Sequence, residues 1–335
     1  MADVEAVKQR LESYLKTRHP EREALSVQQV ERMPVGVSYE TYLFAASWTE
    51  GSDSLSESLV VRMEPETGPV PPYDVRPQYE ALRSVHGTGI PVPKVHWLEM
   101  DRNPLGRPFF VMDKVEGETL LGAWTRSPDQ RGQLMEDYVS ILATLHALDW
   151  RSLELSSLNV PEHECHHAEK EIARWEWVIE DTQFGPQPVV AELVSWLRRN
   201  IPTAERTTLC HGDYHSRNFL ARDGRIVAVL DWEMVDIGDP ISDLAWHCMF
   251  MRILRENAFW PEDEFIRSYE EKAGVQVNRD SLFFWEILSF VKLTAIGLAG
   301  LRTGIDSSDL DMRQVGLWTM LLPLLQDASA RMLGF

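Results

Sequence analysis

The sequence predicts an α+β fold built as two lobes, a small β-rich lobe followed by a larger, mainly helical one. Three observations carry this. Short apolar runs, 41–47 (TYLFAAS), 59–63 (LVVRM) and 108–112 (PFFVM), cluster early in the chain. Beyond Gly117 the spacing turns helical, with Leu134, Tyr138, Ile141 and Leu145 on one face. A single short β segment, 218–230, then interrupts long helical patterns over 164–200 and from 261 to the C-terminus.

Taken in order, residues 1–19 are charged throughout and read as an amphipathic helix rather than a signal peptide. The strand-rich stretch covers about 30–112. Its first two runs are separated by the turn-prone Glu50-Gly51-Ser52-Asp53-Ser54. The proline-rich 65–77 reads as a loop and 78–86 as a short helix; Ile90-Pro91-Val92-Pro93 imposes extended chain. The change of character at 114–117 sets the lobes at 1–113 and 114–335, with a hinge between them. No internal repeat or low-complexity tract interrupts this order.

Composition narrows the function. With 335 residues, 44% hydrophobic and 25% charged, the chain has ordinary globular usage and enough length for a buried core. Its net charge of -19, from 52 acidic against 33 basic side chains, repels phosphate backbones and anionic lipid, so neither nucleic acid nor membrane is an expected partner. Three scattered cysteines, Cys165, Cys210 and Cys248, fit a reducing, cytoplasmic setting better than a disulfide framework. The apolar stretch 282–301 is interrupted by Glu286, Ser289, Lys292 and Thr294 and reads as a buried helix rather than a membrane span. Oligomeric state is not legible.

The chemistry concentrates in 207–245. Apolar runs 218–221 and 226–230 flank Arg222-Asp223-Gly224-Arg225, and Asp-Gly at that place is a strong hairpin signal. A hairpin closed there brings Asn218 and Asp231 together, with Asp213 on the loop leading in. Magnesium takes oxygen ligands, usually one or two carboxylates with room left for phosphates, which suits Asn218 and Asp231. A further carboxylate off the metal, Asp213, suits the proton of an attacking hydroxyl.

His211-Gly212-Asp213, Asn218 and Leu230-Asp231-Trp232-Glu233, followed by Gly238-Asp239-Pro240 and Asp243-Leu244-Ala245, resemble the aminoglycoside phosphotransferase-like family, a branch of the protein-kinase-like fold. The resemblance spans about 25–300 and is closest to the kinase-like domains attached to some acyl-CoA dehydrogenases. It implies ATP, or GTP, as donor, Mg2+ as cofactor and a small-molecule hydroxyl as acceptor. It further implies that Gly36 and Ser38 cover the nucleotide, that Arg62 grips its phosphates, and that Glu80 pairs with Arg62. Met112 falls in the implied hinge strand. His211 and Asp243 are implied supports of the catalytic loop, and Glu233 a second metal contact or a structural ion pair. Val35 and Tyr39 depart from the family's glycine-loop pattern.

Within that reading the acceptor is a hydroxyacyl-type or other small metabolite, with an aminoglycoside or other antibiotic as the alternative. A nucleotide-binding pseudokinase is the alternative of another class. The cluster His163, Cys165, His166 and His167 lacks the second element that zinc sites combine, and reads as a solvated helix start. Most of Trp124, Trp175, Trp177, Trp285 and Trp318 are expected in the core, with some lining an acceptor pocket.

Overall fold

The computed structural model describes residues 4–33, 38–256, 259–306 and 312–334. Helix α1 (Val4–Arg18) opens the chain, and β1 (Glu23–Arg32), β2 (Glu40–Glu50) and β3 (Asp53–Met63) follow. Helix α2 (Arg76–Val85), β4 (Val95–Glu99) and β5 (Phe109–Asp113) complete an antiparallel sheet in the order β1-β2-β3-β5-β4.

Alternation explains how that sheet is covered. Along β2, Tyr42, Phe44, Ala46 and Trp48 are buried at every second position. They meet Val7, Leu11 and Leu15 of α1, spaced so that one helical face is apolar. The opposite face of the sheet presents Val60, Phe110 and Met112 to the second lobe.

Two strands of this sheet were not foreseen, and in the second lobe three short ones, Glu118–Thr119, Thr208–Cys210 and Asp236–Gly238, join the single β segment expected there. β1 has only Leu25 and Val27 buried, and its pairing with β2 shifts register twice, near Ala24 and Gln29, both of positive φ. β4 is five residues long with one buried side chain, Trp97. The turn between β2 and β3 is also tighter than expected. Only Gly51 and Ser52 lie outside the ladder, and Glu50 pairs with Asp53.

After the hinge come β6 (Glu118–Thr119), α3 (Leu120–Arg126), α4 (Arg131–Ala147), α5 (His166–Thr182) and α6 (Pro188–Arg199). Then β7 (Thr208–Cys210), β8 (Phe219–Arg222), β9 (Arg225–Val229) and β10 (Asp236–Gly238) frame the central loop. Helices α7 (Ile241–Ile253), α8 (Glu262–Ala273), α9 (Arg279–Asp306) and α10 (Met312–Met332) close the lobe. The expected hairpin is present: β8 pairs with β9 across Asp223 and Gly224, whose φ values of 53° and 74° are what a two-residue type I′ turn requires. A 2.8 Å hydrogen bond from the Val229 amide to the Pro91 carbonyl ties this hairpin to the first lobe. Helix α9 is long and apolar enough to cross a bilayer, and 94% of its most apolar window is buried inside the chain.

Candidate active site

The loop after β7 is fixed from below. Asp243, fully buried at the start of α7, accepts the backbone N–H of His211 at 2.8 Å and of Gly212 at 2.7 Å, and meets His146 Nε2 at 3.1 Å. His211 donates Nε2–H to the Leu230 carbonyl at 2.9 Å, while its Nδ1 accepts the Asp213 amide at 3.2 Å. Both ring nitrogens therefore hold backbone, and burial pushes the imidazole pKa down despite nearby Asp243. Gly212 has φ +78°, and a Cβ there would stand 1.9 Å from the Met234 carbonyl oxygen.

Asp213 itself is buried and hydrogen-bonded at both oxygens. Trp246 Nε1 donates to Oδ1 at 2.7 Å, and His215 Nε2 lies 3.3 Å from the same oxygen. The Arg217 amide donates to His215 Nδ1, so the hydrogen on Nε2 faces Asp213. Asn218 Nδ2 donates to Asp213 Oδ2 at 2.6 Å and to its main-chain carbonyl at 2.9 Å. Burial works against the carboxylate's charge, but His215, then His211 and Lys292, more than offset it and hold its pKa well below the usual range. Such a group is a weak base with a fixed direction. It suits orienting a hydroxyl rather than stripping it.

Asp231 follows β9 with φ 63° and ψ 57°, a left-handed turn that leads into the 3-10 segment Trp232–Met234. Arg62, from β3, bonds Asp231 Oδ1 and lies 3.2 Å from Glu233 Oε2. The Tyr39 ring covers the guanidinium at 5.2 Å, and Ser38 is buried against Glu233. Burial, then the charge of Asp231, pushes the Glu233 carboxyl up, with Arg62 opposing. One strand of the first lobe and one hairpin of the second thus share an ion cluster.

The profile of the phosphotransferase enzyme family matches residues 31–281. The chain belongs to the phosphotransferase enzyme family. Acyl-CoA dehydrogenase family member 11 of Pongo abelii is 27% identical over 270 residues, covering 75% of this chain and 34% of that protein. The chain thus spans about a third of the length of such relatives. Aminoglycoside 3'-phosphotransferase of Streptomyces fradiae is 24% identical over 252 residues, 73% of this chain and 89% of that one. A Ralstonia eutropha structure described as a candidate aminoglycoside phosphotransferase superposes with a TM-score of 0.74 at 22% identity, covering 97% of each chain. An aminoglycoside phosphotransferase solved with AMP-PNP and hygromycin B gives 0.61 at 17% identity, covering 97% and 99%. The fold is the two-lobed, kinase-like α+β fold of this family.

Of the residues singled out in the sequence, Asp213, Asn218, Asp231, His211, Asp243, Arg62 and Glu233 lie together in the structure. Glu80 does not join them. It accepts Ser157 N–H at 2.8 Å, Ser157 Oγ at 2.7 Å and Ser156 Oγ at 2.9 Å, so the pairing expected with Arg62 is replaced by Asp231 and Glu233. Asp231 and Glu233 follow the hairpin directly and carry two charges into reach of Arg62, whereas the Ser156–Ser157 turn offers Glu80 three donors. Met112 sits inside the ladder, opposite Val60 and Val95. The next amides, Asp113 and Lys114, are taken by the Lys94 and Ser58 carbonyls, so a base edge would meet the chain beyond them. Gly36 lies outside the described residues. Trp177, expected among core tryptophans, is 53% exposed, whereas Trp124, Trp175, Trp285 and Trp318 are buried.

Three residues at the site went unread: His215, Trp246 and Lys292. His215 lies inside the HGDxxxxN spacing and was readable as a polar residue two positions from Asp213. Trp246 and Lys292 sit on α7 and α9, far along the chain; Lys292 stood out as a charge in an apolar stretch, but nothing local tied either residue to Asp213.

Proposed function

We propose that this phosphotransferase moves the γ-phosphate of ATP, or of GTP, to a hydroxyl of a hydroxyacyl-type small molecule. The observation that carries the reading is the convergence of Asp213, Asn218 and Asp231 on one end of the hairpin, facing Arg62 of the other lobe. Related folds solved with AMP-PNP and with GDP support a nucleotide in the cleft. The acyl-CoA dehydrogenase relatives support a hydroxyacyl acceptor.

The donor set fits a magnesium ion. Both amide hydrogens of Asn218 are used on Asp213, which leaves its side-chain oxygen, with the Asp231 carboxylate, as hard ligands. An ion held by these two residues would supply positive charge against that of the nucleotide phosphates. Arg62 then holds phosphate oxygens as a planar cation. Asp213 orients the acceptor hydroxyl, whose oxygen attacks phosphorus as the bond to the nucleoside diphosphate breaks; the proton leaves through Asp213. Because the transition state is loose, this positioning matters more than base strength, which agrees with the depressed Asp213 pKa.

An aminoglycoside acceptor is the competing reading, favoured by the net charge of -19 and the Streptomyces relative. A Mg-ATP phosphate-transfer screen against hydroxyacyl thioesters, amino alcohols and aminoglycosides separates them. Asp213→Asn is expected to abolish transfer while sparing most nucleotide affinity, and wild-type-like turnover in that variant would sink the assignment. The free state of Cys165, Cys210 and Cys248 is in keeping with a reducing, cytoplasmic location.

A further inference from the structure

Lys292 stands in the middle of α9 with only 8% of its surface exposed. Among the described residues its ammonium makes one hydrogen bond, 2.6 Å to the carbonyl of Gly212, the residue before Asp213. The nitrogen lies 4.1 Å from the centre of the Trp246 ring and 5.7 Å from that of Trp175. An ammonium carries three donors, so two have no protein oxygen. Glu171 does not supply one, since it holds the Trp175 N–H at 2.8 Å and lies 3.8 Å from Arg174.

Beside Lys292 is a cavity of about 30 Å3, whose lining includes His167, Glu171, Asp236, Gly212, Trp246 and Trp285. Trp246 links it to the catalytic loop: its indole N–H bonds Asp213 while its face carries Lys292. Burying a cation with spare donors is costly, and the cost falls when an oxygen ligand takes them.

We propose that this cavity anchors the acceptor, and that Lys292 selects acceptors bearing an acyl oxygen, carboxylate or carbonyl, along the chain from the hydroxyl to be phosphorylated. The proposal rests on the phosphotransferase reading of Asp213 and adds the specificity residue to it. Lys292 makes and breaks no bond; it holds the acyl oxygen while Asp213 holds the hydroxyl. Apolar side chains in the lining, Met234 and Leu288 among them, suit the aliphatic stretch between the two groups.

The test uses the full chain and a matched panel of four- to six-carbon hydroxy carboxylates, their amides, diols of the same length and amino alcohols. The wild type is expected to prefer the acids and amides. Lys292→Met is expected to raise KM for them about 10- to 100-fold, the range for a hydrogen bond to a charged group, and to move the diols by less than about threefold. Nucleotide affinity serves as the control. Equal losses for acids and diols would overturn the proposal, because Lys292 would then only hold the loop. A wild type that binds Mg-ATP but prefers amino alcohols, or phosphorylates none of the acyl compounds, would overturn it too. A wild type that fails to bind Mg-ATP would instead bring down the underlying reading, and the proposal with it. If Lys292→Met does not fold, Lys292→Gln takes its place, alongside calorimetric titration of wild type with the hydroxy acid and its diol. Equal affinity there overturns the proposal, and a preference for the acid supports it.

Discussion

Asn218 donates both hydrogens of its side-chain amide to Asp213, at 2.6 Å to the carboxylate and 2.9 Å to the main-chain carbonyl. One residue therefore aims the proposed hydroxyl-orienting group and keeps its own side-chain oxygen for the proposed metal. Asn218→Ala removes both functions. It is expected to lower kcat by about 100-fold or more and to raise the magnesium concentration for half-maximal rate. A magnesium titration of initial rates checks this, and an unchanged magnesium requirement would remove Asn218 from the metal site.

Trp246→Phe keeps a ring beside Lys292 and deletes the N–H that bonds Asp213. Loss of one hydrogen bond to a charged group predicts a fall in kcat of about 10- to 100-fold. KM for ATP should stay within about twofold. Steady-state kinetics at saturating acceptor decide it.

Gly212→Ala places a Cβ at 1.9 Å from a backbone oxygen, in a conformation that L side chains rarely adopt. The backbone has no flexible partner to give way. Destabilisation of more than about 3 kcal/mol is expected, read by urea unfolding, with activity lost in whatever fraction folds.

Glu80→Gln separates the observed contacts from the expected ones. The side chain anchors Ser156 and Ser157, not Arg62. The variant should lose about 1 to 2 kcal/mol of stability and leave nucleotide affinity within about twofold. A collapse of nucleotide affinity with stability intact would show that Glu80 serves Arg62 after all.

Acid should weaken the fold through Glu171. Burial opposes its charge, but Arg174 and Lys292 bring its pKa down to about 2 from an ordinary 4.5. A depressed carboxyl stabilises the fold above its unfolded pKa, and that contribution fades as pH falls through the folded value. The loss should begin near pH 5 and reach about 1 kcal/mol by pH 3.5. Urea midpoints between pH 7 and 3.5 check this, and Glu171→Gln should show a shallower acid slope than wild type.

How far the sequence could be read follows from where each signal lies. The hairpin was legible because Asp223 and Gly224 advertise a turn that few other residues tolerate, and its register then carried Asn218 and Asp231 into place. α1 and α4 were legible because their apolar residues repeat on one face. β1 was not, since its bulges break the alternation that marks a strand and leave two buried side chains in ten residues. The partner of Arg62 was not legible either. The resemblance implied Glu80, and only the packing of the lobes brings Asp231 and Glu233 to it instead. Trp246 reads as one more core residue of α7, and Lys292, visible as a charge within an apolar stretch, carried no local sign that it faces Gly212 and Trp246.

The long helix α9 has a consequence for how the chain comes into being. Gly297 and Gly300 form a notch in which a Cβ would stand 2.8 Å and 2.6 Å from the Trp318 ring, so α10 is the lid for that flank. During synthesis α9 emerges before its lid, and one flank of an apolar rod with the dimensions of a membrane span must wait uncovered. A chain cut after Asp306 would keep Asp213, Asn218, Asp231 and Lys292 and still be expected to aggregate, because the last helix shields a surface that the chemistry never touches.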